Sequence, residues 1–530
     1  MTGKSLFKVA GLIAIITIIS KLVGFGRDVV IAQAYGATVV SDAYFYAYQI
    51  PSFALILLGG LGGPFHTATI AIFSKIIPDL NTKPPEEVQK LLNKYISITG
   101  AGFLLLSVLI FLFSDVIIRF IAANATPELQ HLASVQLKIM SPIMFIGGIV
   151  GILYGISNVY NEFLYTSLSP TIASIAVIAG VLIFKNDKFG MVLAWGTLIG
   201  AVGQLMLQLP VFFKSGFNFK LDFSFIDEKL VKIKEILFPA MLGTTIGQIN
   251  IYVDMFFASQ LIAGAWSAIG YANRIFQFPV GIIITAMLVP LFPMFSTFVG
   301  KKDWDSLRYY FHQGLSSLWF MAFPILAFII IFSQDTIQLL LERGEFNHSD
   351  TIMVSMALIF LSLSIIPYVA RDTLTRIFYA FDDSKTPFYI ATFSILIKAI
   401  MNFLFVKQLG ISAIMLSTTT ITLVNAVLLA IFIRKKTNLE FRNLLTPTVK
   451  ILIATLTMSA IAVSLKFYLD QALPNSTFFL ATKLLIQLAV CTVSYFSLAI
   501  VLKIHAARQL FNKVSQKLFS KKTEEIFPVE

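Results

Sequence analysis

Ser20-Lys21-Leu22-Val23-Gly24-Phe25-Gly26-Arg27-Asp28 lies in the second half of an apolar stretch running from Leu6 to Ala34. Length and apolarity predict a membrane-crossing helix over 6–34, yet three ionisable side chains sit inside it. Each costs roughly 2.5–3.5 kcal/mol at the bilayer centre, so such residues face a protein interior or an aqueous cavity. At ~100° per residue, Lys21 and Asp28 fall about 20° apart on one face, with Arg27 on its flank. Gly24 and Gly26 admit close approach by another helix or a ligand. An ion pair that only locks two helices together is the alternative; a charged interior site is the expectation.

The remaining 530-residue chain has the same character: 57% hydrophobic, 13% charged and a mean hydropathy of +0.83. Apolar runs of membrane-crossing length recur from end to end, which excludes a soluble domain. Lys4, Lys8 and the following apolar run imitate a signal peptide, but Lys21, Arg27 and Asp28 interrupt it, so no cleavage is expected. The single Cys491 excludes an intrachain disulfide and a cysteine metal cluster; it reads as a small hydrophobe.

Fourteen spans are predicted, over 6–34, 41–73, 92–114, 132–159, 164–184, 190–213, 232–263, 267–299, 308–333, 350–380, 386–406, 410–433, 447–469 and 477–503. Pro51, Pro142, Pro239, Pro279 and Pro367 should kink their helices, and the run Gly59-Gly60-Leu61-Gly62-Gly63-Pro64 should break the second span. The expected fold class is an all-α integral membrane protein.

Basic connections set the orientation. Lys4 and Lys8, Lys75–Lys90, Lys214–Lys232, Lys301–Arg308, Arg434–Arg442 and the tail lysines Lys513, Lys517, Lys521 and Lys522 fall on one side; Arg119, Lys185, Lys188, Arg343 and Lys407 fall on the other. The positive-inside rule then places both termini in the cytoplasm, which an even span count satisfies. The +12 net charge is thereby explained by orientation, and no nucleic-acid partner is expected.

The chain also echoes itself. Asp28-Val29-Val30-Ile31-Ala32 and Tyr46-Ala47-Tyr48-Gln49-Ile50 return as Asp254-Met255-Phe256-Phe257-Ala258 and Tyr271-Ala272-Asn273-Arg274-Ile275. Ser169-Pro170 with Gly190 returns as Thr386-Pro387 with Gly410. Six spans separate each pair, so a parallel pseudo-two-fold repeat is expected, with a binding site between the halves.

Within the spans lie Lys21, Arg27, Asp28, Asp42, Lys138, Asp254, Arg274, Arg371, Asp372, Arg376 and Lys398, seven of the eleven cationic. A basic interior suits an anionic substrate, and arginine suits phosphate because its fork bonds bidentately. Arg371 and Arg376 have a snorkelling alternative, and Asp372 and Arg376, four residues apart, an internal-pair alternative. His66, beside Pro64 and Phe65, reads as structural. There is no metal-spaced cluster, no P-loop and no nucleophile elbow, so no enzyme, metal or cofactor is expected.

Ser20-Lys21-x-x-Gly24-Phe25-x-Arg27-Asp28, Asp42-Ala43-Tyr44-Phe45 with Pro51, and Gln248-Ile249-Asn250 with Asp254 together resemble the MurJ/MviN family of lipid II flippases. Tyr271-Ala272-x-Arg274-x-x-x-Phe278-Pro279-x-Gly281 and Arg376-x-Phe378-Tyr379-Ala380-x-x-Asp383-x-x-Thr386-Pro387 strengthen the likeness. The resemblance implies a fourteen-helix member of the multidrug/oligosaccharidyl-lipid/polysaccharide exporter superfamily. Its lobes would span 1–230 and 231–436, its lipid-tail groove 437–505, and a basic cytoplasmic tail 506–530.

By position the resemblance implies diphosphate or cavity contacts at Lys21, Arg27, Asp28 and Arg274. Asp42, Lys138, Arg371 and Arg376 are further cavity or gate candidates. Some relatives hold a cation on an acid of the seventh span and polar residues of the eleventh; here Asp254, Lys398 and Asn402 stand there, and the Lys398 ammonium could replace the cation. Two departures stand out. Lys21 occupies a position where many relatives have arginine, and Leu55-Ile56 with Gly60 replace an arginine pair and a glutamate of the second span.

The implied function is translocation of an undecaprenyl-diphosphate-linked peptidoglycan precursor between leaflets of a bacterial cytoplasmic membrane. Implied partners are that precursor, membrane lipids and cell-wall synthesis proteins. Two rivals remain at this level: a cation-coupled drug or polysaccharide-lipid exporter of the same superfamily, for which an acidic core is expected, and a non-transporting scaffold for cell-wall enzymes, whose buried charges would be replaceable.

Overall fold

Every regular element is a helix in the computed structural model, which describes residues 3–60, 62–77, 83–224, 228–474, 476–509 and 512. Leu61, most of the 506–530 tail with its lysines, and the side chains of Lys4 and Lys8 lie outside the described residues. In chain order the helices are α1 (Gly3–Tyr35), α2 (Val39–Ser52), α3 (Pro64–Ile76), α4 (Glu86–Ile121), α5 (Pro127–Met140), α6 (Ile143–Val159), α7 (Phe163–Ile183), α8 (Met191–Lys214) and α9 (Glu228–Ala258). They continue with α10 (Ala265–Ile283), α11 (Val289–Gly300), α12 (Trp304–Leu341), α13 (His348–Ser362), α14 (Ile365–Ala380), α15 (Lys385–Leu409), α16 (Ile411–Thr437), α17 (Leu445–Ala472) and α18 (Thr477–Val501).

Among the described residues nine helices are long and apolar enough to cross a membrane, and eleven when two bent pairs each count as one span. The bends have proline causes. α5 and α6 meet at 43° across Ser141-Pro142, and the Lys138 carbonyl is taken instead by the Ser141 hydroxyl at 2.9 Å. α13 and α14 meet at 44°, and the Pro367 ring excludes a regular turn at Leu363, four residues back. Fewer spans pass this test than the fourteen expected. The side chains of the first half of α1 lie outside the described residues, and the second and eighth spans are split into short pieces by π-helical turns at Phe53–Leu58 and Ile284–Leu288.

The second span breaks where its glycines fall. After the π-helical turn the chain passes Gly59 and Gly60, and α3 restarts at Pro64, whose fixed φ suits a first helical position. α6 packs on this break backbone to backbone. A Cβ on Gly147 would lie 2.8 Å from the Ala54 carbonyl carbon, and one on Gly151 would lie 2.6 Å from Gly59 Cα. His66 braces the corner: its Nδ1 accepts the Gly62 N–H at 3.0 Å and its Nε2 lies 2.7 Å from the Asn158 amide.

The helices sort into two compact units. The first comprises Met1–Gly270 together with Leu341–Asp350; the second comprises Tyr271–Leu340 and Thr351–Glu530. Within the second unit, α12 is flanked on one side by α17 and α18, where Phe320, Phe332, Met458, Cys491 and Tyr495 close a core. The Tyr495 hydroxyl donates to the Phe320 carbonyl at 2.7 Å, so this large aromatic is buried with its polar tip satisfied. A second core joins α11, α12, α14 and α16 through Phe295, Phe311, Leu374, Phe378 and Ile433.

Candidate functional site

α1 is one unbroken helix through all three charges. Arg27 folds back on its neighbour: Nη2 and Nε donate to one oxygen of Asp28 at 3.0 and 3.1 Å. Adjacent helical residues diverge by ~100°, so this contact uses the reach of the arginine side chain. The pair is largely withdrawn from solvent, with side chains 14% and 7% exposed, and each charge offsets the other's desolvation. Lys21 is exposed. α1 therefore presents a buried zwitterionic pair and, two turns earlier, a lysine apart from it.

Asp42 does something different. Its two carboxylate oxygens accept the Gly264 N–H at 2.8 Å and the Ser267 N–H at 2.6 Å, capping the N-terminus of α10. α2 is tied to the same corner by Tyr46, whose hydroxyl donates to the Met255 carbonyl at 2.8 Å, and by Gln49, which donates to Gln248 at 2.9 Å.

A third corner joins in. Glu345 N–H donates to the Gln33 carbonyl at 2.9 Å, and Asp350 accepts the Ala37 N–H at 3.2 Å. The α1–α2, α9–α10 and α12–α13 turns thus form one clasp inside the first unit, at glycines with left-handed backbone: Gly36 (φ +59°), Gly264 (φ +87°) and Gly344 (φ +62°). Sequence reasoning missed Asp350 and these glycines. The available signal was a glycine directly after or before a helix end, with a short polar residue within a few positions.

The other candidates distribute as follows. Lys138 is partly exposed and paired with Asp115 of α4 at 2.8 Å. Asp254 is buried in the first unit. Arg274, half-buried, belongs to the second unit. On α14, Asp372 pairs with Arg371 at 3.1 Å, and not with Arg376 four residues on. On α15, Ser394, Lys398 and Asn402 share one face and all are buried, Lys398 with 2% exposed. At that depth Lys398 does not face lipid. Ser394 hydrogen-bonds Asn425 of α16.

In the α14–α15 loop, Asp383 accepts from the Thr386 N–H at 3.0 Å and hydroxyl at 2.8 Å and pairs with Lys436. The Lys436 ammonium, with Thr386, holds the Asp383 carboxyl down at about 2, so it stays charged throughout the physiological range. This residue is a helix cap at a corner. Among the described residues no cluster of three His, Cys, Asp or Glu has a metal-binding arrangement.

Comparison with known proteins gives one answer. The family model described as "Lipid II flippase MurJ" matches residues 31–483. The chain is 32% identical over 435 residues to a probable lipid II flippase MurJ from Synechocystis sp., covering 80% of each sequence. Among solved structures, the "Lipid II flippase MurJ, inward closed conformation" aligns with a TM-score of 0.77 and 25% identity over 92% of this chain and 98% of that one. A multidrug resistance MATE family transporter of the MOP superfamily aligns with a TM-score of 0.62 at 15% identity, over 80% of this chain and 98% of the other, which is a likeness of fold.

Proposed function

The chain belongs to the lipid II flippase MurJ family, and from that premise we propose that it carries lipid II, an undecaprenyl-diphosphate-linked sugar-peptide, from the inner to the outer leaflet of the cytoplasmic membrane. The protein is a multi-pass membrane transporter and not an enzyme. The observation that carries the proposal is the Arg27–Asp28 pair, largely withdrawn from solvent in the second half of a mainly apolar helix. A diphosphate crossing a ~30 Å apolar slab needs a cationic escort, while a polyprenyl tail stays in lipid. An arriving phosphate can take the guanidinium N–H donors that Asp28 does not use, while Asp28 holds the side chain through Nε and Nη2. Lys21 and Arg274 are the further phosphate contacts in this reading. The test is depletion of the protein in its host with lipid II assayed by leaflet. Accumulation in the inner leaflet is expected; unchanged distribution would overturn the proposal.

The finer architecture is proposed with it: fourteen spans, lobes over 1–230 and 231–436, and α17–α18 as the tail groove. Support comes from the two π-helical turns, which interrupt the second and eighth spans, the pair that the sequence repeat relates. Basic connections support cytoplasmic termini. Reporter fusions at Lys220 and at the C-terminal tail should therefore read the same side, and opposite sides would refute the count.

Within the second unit, Lys398 and Asn402 of α15 are proposed as a cation locus in which the Lys398 ammonium supplies the positive charge. Burial of Lys398 with Asn402 supports it. Transport is then expected to be indifferent to replacing sodium by potassium, whereas Lys398→Met should lower it several-fold. Sodium stimulation of the unaltered protein would sink the idea.

A further inference from the structure

On α14, Tyr368, Arg371, Asp372 and Tyr379 fall on one helical face, with Arg376 at its edge. The opposite face, with Val369, Thr373, Leu374, Ile377 and Phe378, is buried. The charges on the open face are unequally engaged. Arg371 is committed twice, to Asp372 at 3.1 Å and to the Tyr368 ring at 4.3 Å from its centroid. Arg376 is half-buried, and its Nε–H is sealed from solvent without a hydrogen-bond partner among the described residues. A buried donor on a charged group is costly to leave unpaired, so such a group marks a place where an outside acceptor is received.

We infer that this face of α14 binds a carboxylate of the sugar-peptide portion of the translocated precursor, with Arg376 as the anion contact. The inference rests on the proposed lipid II substrate. Three features select a carboxylate on an organic ring or peptide over the diphosphate. Asp372 neutralises Arg371, so the face carries a net charge of +1, matched to a monoanion. Guanidinium forks pair bidentately with carboxylates. Tyr379, about half exposed and one turn from Arg376, offers a ring surface for the apolar side of a sugar or peptide. Arg376 is thus a head-group residue distinct in role from Arg27.

The test uses the full-length protein in lipid nanodiscs, titrated calorimetrically with a soluble muramyl peptide bearing free carboxylates and with its fully amidated form. The unaltered protein is expected to prefer the free acid by about tenfold or more, the range of a hydrogen bond to a charged group. In Arg376→Gln the preference should collapse toward unity. Arg376→Lys keeps the charge without the fork and should retain only part of the preference, which keeps the test decisive if the glutamine variant misfolds. An undiminished preference in either variant, or no preference in the unaltered protein, overturns the inference. If the unaltered protein fails to move lipid II in the leaflet assay, the functional proposal falls instead; normal transport with no acid preference removes only the α14 assignment.

Discussion

Arg27→Ala and Arg274→Ala are each expected to abolish growth of cells depleted of their own lipid II flippase, Arg274→Ala while reaching the membrane at normal levels. A hydrogen bond to a charged group is worth about 1.5–3 kcal/mol, so each lost contact weakens phosphate binding by roughly one to two powers of ten. Lysine in either position keeps the charge but not the two-pronged geometry, and partial growth is expected. The Arg27–Asp28 bond complicates the first variant, because alanine at 27 strands a buried carboxylate at a cost of several kcal/mol. Arg27→Ala combined with Asp28→Asn removes that penalty. The combined variant should recover expression and thermal stability while growth stays lost. Full complementation by Arg27→Ala/Arg274→Ala would refute a phosphate role for both.

Gly264→Ala is expected to be the most damaging single methyl addition in the first unit. A Cβ there would sit 1.9 Å from the Ala37 carbonyl oxygen and 2.5 Å from its carbon, both backbone atoms that cannot rotate away. The +87° φ is itself strained for an L-residue, by about 1–3 kcal/mol. Relief requires lifting the turn away from α2, which also stretches the 2.8 Å bond from Gly264 to Asp42. The sum is of order 3 kcal/mol or more. Thermal unfolding of the purified protein should show a clear drop, with new protease sensitivity around 260–267. Gly243→Ala is the comparison, since nothing lies within 4 Å of its Cβ position, and it should change stability by under about 1 kcal/mol. Equal melting of the two variants would show that the turn can relax.

Much of this was legible in the chain because membrane insertion reads composition locally. The first helix, the break at Gly59–Pro64 and the bends near Pro142 and Pro367 each follow from residues within one or two turns. The family was legible from short motifs around Arg27, Arg274 and Asp383. What stayed hidden depends on partners far away in sequence. Asp42 reads as one more intramembrane charge until its partner N–H groups are seen to come from Gly264 and Ser267, more than 220 residues on. Asp372 had two arginines in reach, and only side-chain packing decided for Arg371. The mid-span position of Lys398 speaks against a lipid-facing side chain, but α15 has so little amphipathic contrast that its buried face becomes visible only once α16 is beside it.

The clasp also sets a clock on synthesis. Ala37 and Asp350 are 313 residues apart, and their bond lies in the same compact unit as the first helices. At ribosomal rates of about 5–20 residues per second, Asp350 follows Ala37 out by roughly 15–60 s. For that interval α1 and α2 are already in the bilayer, while the turn joining them lacks the acceptor for its Ala37 amide. The first unit is therefore finished by a strand of chain translated after seventy residues of the second, and a ribosome stalled before codon 341 leaves it open however well its own helices have packed.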